Sequence, residues 1–197
     1  MKQIRISNLA KFAFAFALAS ILGSASYAAE YVLKEHRIHW SGSMPASTHE
    51  GLLTPLSTVV DIDDAGVINK LEVVLDMNSI DVTDLTGKKR DKLAKHLLSR
   101  DFFYVKEHPT AKFKLDRHED GSLVGEVEIR GVVKPITIPV EVTGSVSEGW
   151  TLEGAFAFNR QDFNVNYQNG GILGAAKDKL IRDMIDLEIE LKVGPTS

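Results

Sequence analysis

Residues 185–193 read Ile-Asp-Leu-Glu-Ile-Glu-Leu-Lys-Val, with Ile185, Leu187, Ile189, Leu191 and Val193 separated by Asp186, Glu188, Glu190 and Lys192. A period of two places the apolar set on one face of a strand and the charged set on the other. This segment therefore reads as a β-strand with one buried side and one wet side. The same alternation recurs upstream. Leu71, Val73, Leu75 and Met77 share a parity, as do Val127 and Ile129 between Glu126, Glu128 and Arg130. Ile136, Ile138, Val140 and Val142 form another set, and Leu152, Phe156 and Phe158 a further one.

Turn-forming clusters separate the runs: Asp63-Asp64-Ala65-Gly66, Glu119-Asp120-Gly121-Ser122 and Ser147-Glu148-Gly149. Each suits a hairpin, so sequential strands should be antiparallel neighbours. Further strands are expected at 31–40, 52–62, 111–116 and 163–167, giving about eight or nine. Hardly any helix is available to cover an apolar face. The fold class is therefore all-β, an antiparallel sheet that closes into a barrel or folds into a sandwich. Closure would also remove exposed edges. One segment breaks the period: in 84–100, Leu93 and Leu97 lie four apart, predicting a short helix over 88–99 that could plug or lid one barrel end. The stretch 168–179, rich in glycine and polar residues, reads as a long loop before the final strand.

The N-terminus has the three parts of a secretory signal. Lys2, Arg5 and Lys11 precede any acid, an apolar run covers 12–22, and Ser26 and Ala28 stand at −3 and −1 for cleavage after Ala28. The apolar run is about half the roughly 20 residues of a membrane-spanning helix. Residues 1–28 are thus expected to be a cleaved signal peptide and 29–197 a single domain, with no transmembrane segment in the mature chain and the periplasm as its destination. Removing three basic residues takes the net charge from −4 to −7. That balance argues against a nucleic-acid partner and against adhesion to anionic lipid. With no cysteine, stability must come from one hydrophobic core.

Motifs for catalysis are missing: no Gly-x-Ser-x-Gly elbow, no cysteine nucleophile, no His-Glu-x-x-His and no phosphate-cradling loop. His36 and His39, three apart on a strand, point to opposite faces and do not suit one metal ion. Asp76, Asp81 and Asp84 read as turn-forming and helix-capping acids rather than a calcium site. Lys88-Lys89-Arg90 reads as a solvated helix start. His49, in a turn between strands, either hydrogen-bonds the barrel rim or touches a ligand head group. The aromatics Trp40, Phe102, Phe103, Phe113, Trp150, Phe156, Phe158, Phe163 and Tyr167 fall largely on apolar parities. They fill a small barrel or line a cavity for one ligand, two alternatives that parity does not separate.

Four ordered stretches carry a resemblance: Trp40-Ser-Gly with Thr48-His49-Glu50-Gly51; Leu75-Asp-Met-Asn-Ser-Ile80; Arg90-Asp91, His96-Leu97, Asp101-Phe102-Phe103 and His108-Pro109 through Phe113; and Ile129-Arg130-Gly131-Val132-Val133-Lys134-Pro135 with Asn159-Arg160-Gln-Asp162-Phe163. Together the set resembles the YceI-like family, the polyisoprenoid-binding, lipocalin-like secreted bacterial proteins. The chain departs from the family pattern at Asn164, where glycine is usual, and at Pro55, which suggests an edge or bulged position. Gly131 fits a tight turn or bulge, and Arg160 is read as pairing with Asp162 at the rim.

The resemblance implies a lipocalin-like barrel of about eight strands binding a long apolar chain, such as an isoprenoid quinone, prenyl lipid or fatty amide, and it also implies a homodimer. Combined with the inward parities, it makes Trp40, His49, Leu75, Met77, Phe102, Phe103, Phe113, Ile129, Phe156, Phe158, Arg160, Phe163 and Tyr167 the candidate lumen and mouth residues. The expected ligand is a non-covalent lipid; no other cofactor, no metal and no catalysis are expected. Two further readings are a lipid-acting enzyme with His49 or His96 as general base, and a structural or stress-related envelope module with a filled core.

Overall fold

A computed structural model of the chain describes residues 31–167 and 180–196. The expected signal peptide and the expected loop at 168–179 lie outside the described residues. Eight strands follow in order: β1 (Tyr31–Met44), β2 (Ser47–Ile62), β3 (Ile68–Val82), β4 (Thr110–Glu119), β5 (Ser122–Ile129), β6 (Val132–Ser145), β7 (Gly149–Asn159) and β8 (Met184–Pro195). Every neighbour in this order is paired antiparallel, and β8 returns to β1, closing the barrel. The opening stretch is the closing strand: Leu187 faces Trp40 on one side and Phe156 on the other.

The connections follow their turn chemistry. Arg130 and Gly131 both have positive φ (56° and 73°), the backbone a two-residue hairpin needs to match strand twist. Pro55 sits at an irregularity in the β2–β3 register between Pro55 and Ser57, as a residue without an N–H requires. Between β3 and β4 lies α1 (Gly87–Leu98), close to its expected span, and its residue Leu97 is buried.

The expected strand at 163–167 is not formed. Arg160–Phe163 is a single 3-10 turn whose first amide-accepting group is Asn159, and Asn164 closes it in the left-handed region at φ 62°. Local capping and the demand of the Arg160 guanidinium for carbonyls curl this segment, overriding a weak apolar alternation. Asn164 thus provides the left-handed conformation for which glycine is usual.

Apolar side chains fill the barrel in two clusters. At the floor, Tyr31, Ile62, Ile68, Leu123, Leu152, Leu191 and Val193 pack around Trp150, whose indole Nε1 donates to Tyr31 Oη at 3.1 Å within the core. At the other end, Trp40, Met77, Leu97, Phe102, Phe158, Phe163 and Ile185 pack beneath α1. Side chains fill the floor, and α1 with Phe102 and Phe103 lies across the other end.

Candidate functional site, an apolar lumen under a helix

Inward-pointing residues from strands around the barrel enclose a cavity of about 180 Å³. One water needs roughly 10–15 Å³ on this measure, so the space matches on the order of ten chain carbons. Ile38, Leu53, Leu71, Val73, Ile136, Ile138, Leu187 and Ile189 supply much of its wall, and Leu93, Leu97, Phe102 and Phe103 close it from the helix side. Of the candidate residues, Trp40, His49, Leu75, Met77, Phe102, Phe103, Phe113, Ile129, Phe156 and Phe158 line this cavity. Strand alternation had marked most of the wall. Ile181 and the helix residues Leu93 and Leu97, by contrast, join it only because the ends of the fold turn inward.

Three candidates stand outside the cavity lining. Phe163 is buried, its ring 5.5 Å edge-on from Phe158. Tyr167 packs outside the cavity against His96 and Phe102 at 4.5 and 5.8 Å. Arg160 is not a rim group and does not pair with Asp162: it is 0 % exposed. Its Nε donates to the Arg182 carbonyl, Nη1 to those of Val165 and Tyr167, and Nη2 to that of Ile181 and to Asp183 Oδ1. All five N–H donors are satisfied. Burial pushes the guanidinium pKa down, and Asp183 opposes this. Its work is to bind 165–167 to 181–183. Arg130 braces the same region, donating to the carbonyls of Asn164 and Arg100.

Polar groups at the lumen are few. His49 Nδ1 lies 2.8 Å from Asp84 Oδ2, and the Glu50 amide donates to Asp84 Oδ1 at 3.1 Å. Partial burial pushes the Asp84 carboxyl up, but the hydrogen bonds from His49 and the Glu50 amide outweigh it and hold the pKa below its usual value. A carboxylate on Nδ1 orients the ring and leaves Nε2 for the lumen side or solvent. Among the described residues no serine or threonine hydroxyl bonds this ring; Ser43 Oγ pairs with Thr48 Oγ1 at 3.0 Å instead. Trp40 Nε1 is buried with no acceptor among the described residues, and His96 Nε2 is in the same position. Gly51, opposite Trp40 in the β1–β2 pair, lets the ring lie across it, since a Cβ there would come 2.7 Å from Trp40 Cζ2.

The other singled-out residues divide into separate tasks. Asp76 accepts from the Asn78 amide two residues on within β3, Asp81 pairs with Arg90, and Asp84 serves His49 rather than capping α1. His39 lies between Glu50 and Glu188 at 3.4 and 3.7 Å, while His36 is exposed. No cluster able to hold a metal ion occurs among the described residues, and no helix among them is long and apolar enough to cross a membrane.

Comparison with known proteins agrees with this geometry. A family model described as YceI-like domain matches residues 31–193. A UPF0312 protein of Shewanella denitrificans is 29% identical over 176 residues, covering 78% of this chain and 88% of that protein. A UPF0312 protein of Pseudomonas aeruginosa is 29% identical over 111 residues, 52% of this chain and 55% of its own length. The match thus spans about half the length of that relative. Among solved structures, BcnA of Burkholderia cenocepacia superposes with a TM-score of 0.64 at 20% identity, covering 80% of this chain and 95% of BcnA. A polyisoprenoid binding domain from Saccharophagus degradans gives 0.63 at 12% identity, covering 85% and 99%. At these identities the structural likeness concerns the fold.

Proposed function

The chain belongs to the YceI-like domain family, and from that premise we propose that it is a periplasmic lipid-binding protein holding a long apolar chain in its lumen. The supporting observation is the interior: apolar side chains from strands around the barrel and from α1 enclose a cavity of about 180 Å³. Isoprenoid quinones, prenyl lipids and fatty amides share the required chemistry, a single apolar tail with a compact polar end. The name of the Saccharophagus degradans domain points to the prenyl class. The signal-like N-terminus supports export, and a carrier is useful next to a membrane because free apolar chains are poorly soluble.

Magnitudes decide what the lumen does. Each buried methylene contributes roughly 0.8 kcal/mol, so about ten carbons yield roughly 8 kcal/mol before the cost of association, at least about 4 kcal/mol. A polyisoprenoid exceeds this space, and its remainder would leave through the mouth under α1. An acceptor oxygen at the polar end would satisfy the Trp40 indole N–H, while His49, fixed by Asp84, offers a second polar group at the mouth.

A lipid-acting enzyme would need a nucleophile or bound water beside His49, and the hydroxyls nearest in register are engaged with each other. Native mass spectrometry of the purified protein is expected to show one co-purified lipid, identified after solvent extraction. A ligand-free mass together with no uptake of prenyl or acyl chains would refute the carrier reading and favour the envelope module.

A further inference from the structure

Between Thr86 and Lys106 the chain carries seven basic residues and two acids, a local charge of +5 in a protein whose net charge is −4, so the rest carries −9. This segment is α1 and the linker after it. Lys88, Lys89, Lys92 and Lys95 are all exposed. Arg90 pairs with Asp81, but none of these four lysines forms an ion pair among the described residues. At about 100° per residue, Lys88, Lys92 and Lys95 fall within an arc of about 60°. Leu93 and Leu97, which line the lumen, lie on the opposite side. The helix therefore faces the cavity with leucines and the outside with lysines.

This arrangement works against the helix that carries it. Lysines in the first turn oppose the macrodipole, and no acid is present there. Lys88 and Lys92 are like charges four apart, which repel. Thr86 occupies the N-cap position without a side-chain capping bond. A purely solvated face would be served as well by mixed charges. Local rules broken together at one surface point to a function for that surface.

We infer that the lysine face of α1 docks the barrel, helix end first, on a bilayer rich in anionic phospholipid. Charge complementarity selects this occupant: clustered lysines next to an anionic leaflet are attracted individually. The −9 on the rest of the molecule turns that end toward the bilayer and the other surfaces away. The net charge had argued against anionic lipid because it averages over two opposed regions. Docking would bring the end of the lumen that Leu93 and Leu97 cover to the headgroups, so a chain passing α1 would move between bilayer and lumen without crossing water. The role in loading rests on the lumen being a lipid site; the docking itself does not.

The test is sedimentation of the purified full chain with phosphatidylcholine vesicles, with and without one quarter phosphatidylglycerol, at about 0.05 M and about 0.2 M salt. Binding is expected only to the anionic vesicles and to weaken at the higher salt. Lys88→Gln, Lys89→Gln, Lys92→Gln and Lys95→Gln are each expected to lower the partition coefficient about fivefold, with an unchanged circular dichroism spectrum. The N-terminus is the same in all variants, so it cannot produce the difference. No binding to anionic vesicles, equal binding to both vesicle types, or retention by the combined four-lysine variant would overturn the inference. Equal affinity for a soluble acidic polypeptide at matched charge would replace the bilayer with a protein partner and overturn it too. Vesicle binding without lipid in the lumen would uphold docking while refuting the carrier reading; lipid in the lumen without vesicle binding would do the reverse.

Discussion

Arg160 shows how much one side chain organises beside the mouth. A buried guanidinium with five satisfied donors joins Val165 and Tyr167 to Ile181, Arg182 and Asp183. Replacing it with methionine keeps the bulk and leaves four backbone carbonyls without their donor. Arg160→Met is expected to lower unfolding stability by about 3–5 kcal/mol, read from urea denaturation, and Arg160→Lys by an intermediate amount because an ammonium lacks the planar fork. An unchanged midpoint would exclude the clamp. Asp84 yields a pH-dependent expectation. Its folded pKa is depressed by His49 and the Glu50 amide, below an unfolded value of about 3.9. As pH falls, the unfolded chain takes up this proton first, so stability is complete above about pH 4 and is lost as pH drops through the folded pKa. Stability measured from neutral to strongly acid pH should therefore decline less steeply in Asp84→Asn. Neither residue's role was legible in the sequence. The Arg160–Asp162 reading used the nearest acid in the chain, whereas the partners are brought in from residues 165–183.

At the scale of elements, strands were easier to read than the segments between them. Period-two alternation identified β3 and β5 to β8 because each has one wall facing the lumen and one facing water. It failed at 163–167, where side-chain to backbone bonding wins over alternation. Helix α1 was visible from Leu93 and Leu97, yet its charge pattern gained meaning only when the structure set it over the lumen. The cap gives a test at this scale. Thr86 stands at the N-cap and Lys89 three residues later, where a glutamate would complete a capping box. Lys89→Glu is expected to raise stability by about 0.5–1 kcal/mol, seen as a higher urea midpoint, even as it weakens binding to anionic vesicles. A lower midpoint would mean that Lys89 makes a stabilising contact after all.

For the whole molecule, the question is how a closed barrel keeps room inside. Large side chains crowd the floor, where Trp150 and Tyr31 bond to each other, while a small residue, Ala111, lines the cavity nearer the helix. Ala111→Trp should fill that space and abolish co-purified lipid while the strand content measured by circular dichroism is kept, at an overpacking cost of about 1–3 kcal/mol. Full lipid occupancy in that variant would place the binding site elsewhere. The antiparallel strands, their wet and dry faces and the short helix could be read from the residues alone, because alternation and turn chemistry act over a few residues and survive without tertiary context; the family could be read from four ordered motifs. Folding in three dimensions sets β8 beside β1, leaves an apolar cavity inside the barrel, makes Arg160 a clamp and turns the lysines of α1 away from that cavity. Those outcomes depend on summed side-chain volumes and on groups far apart in the chain, and no local pattern encodes either.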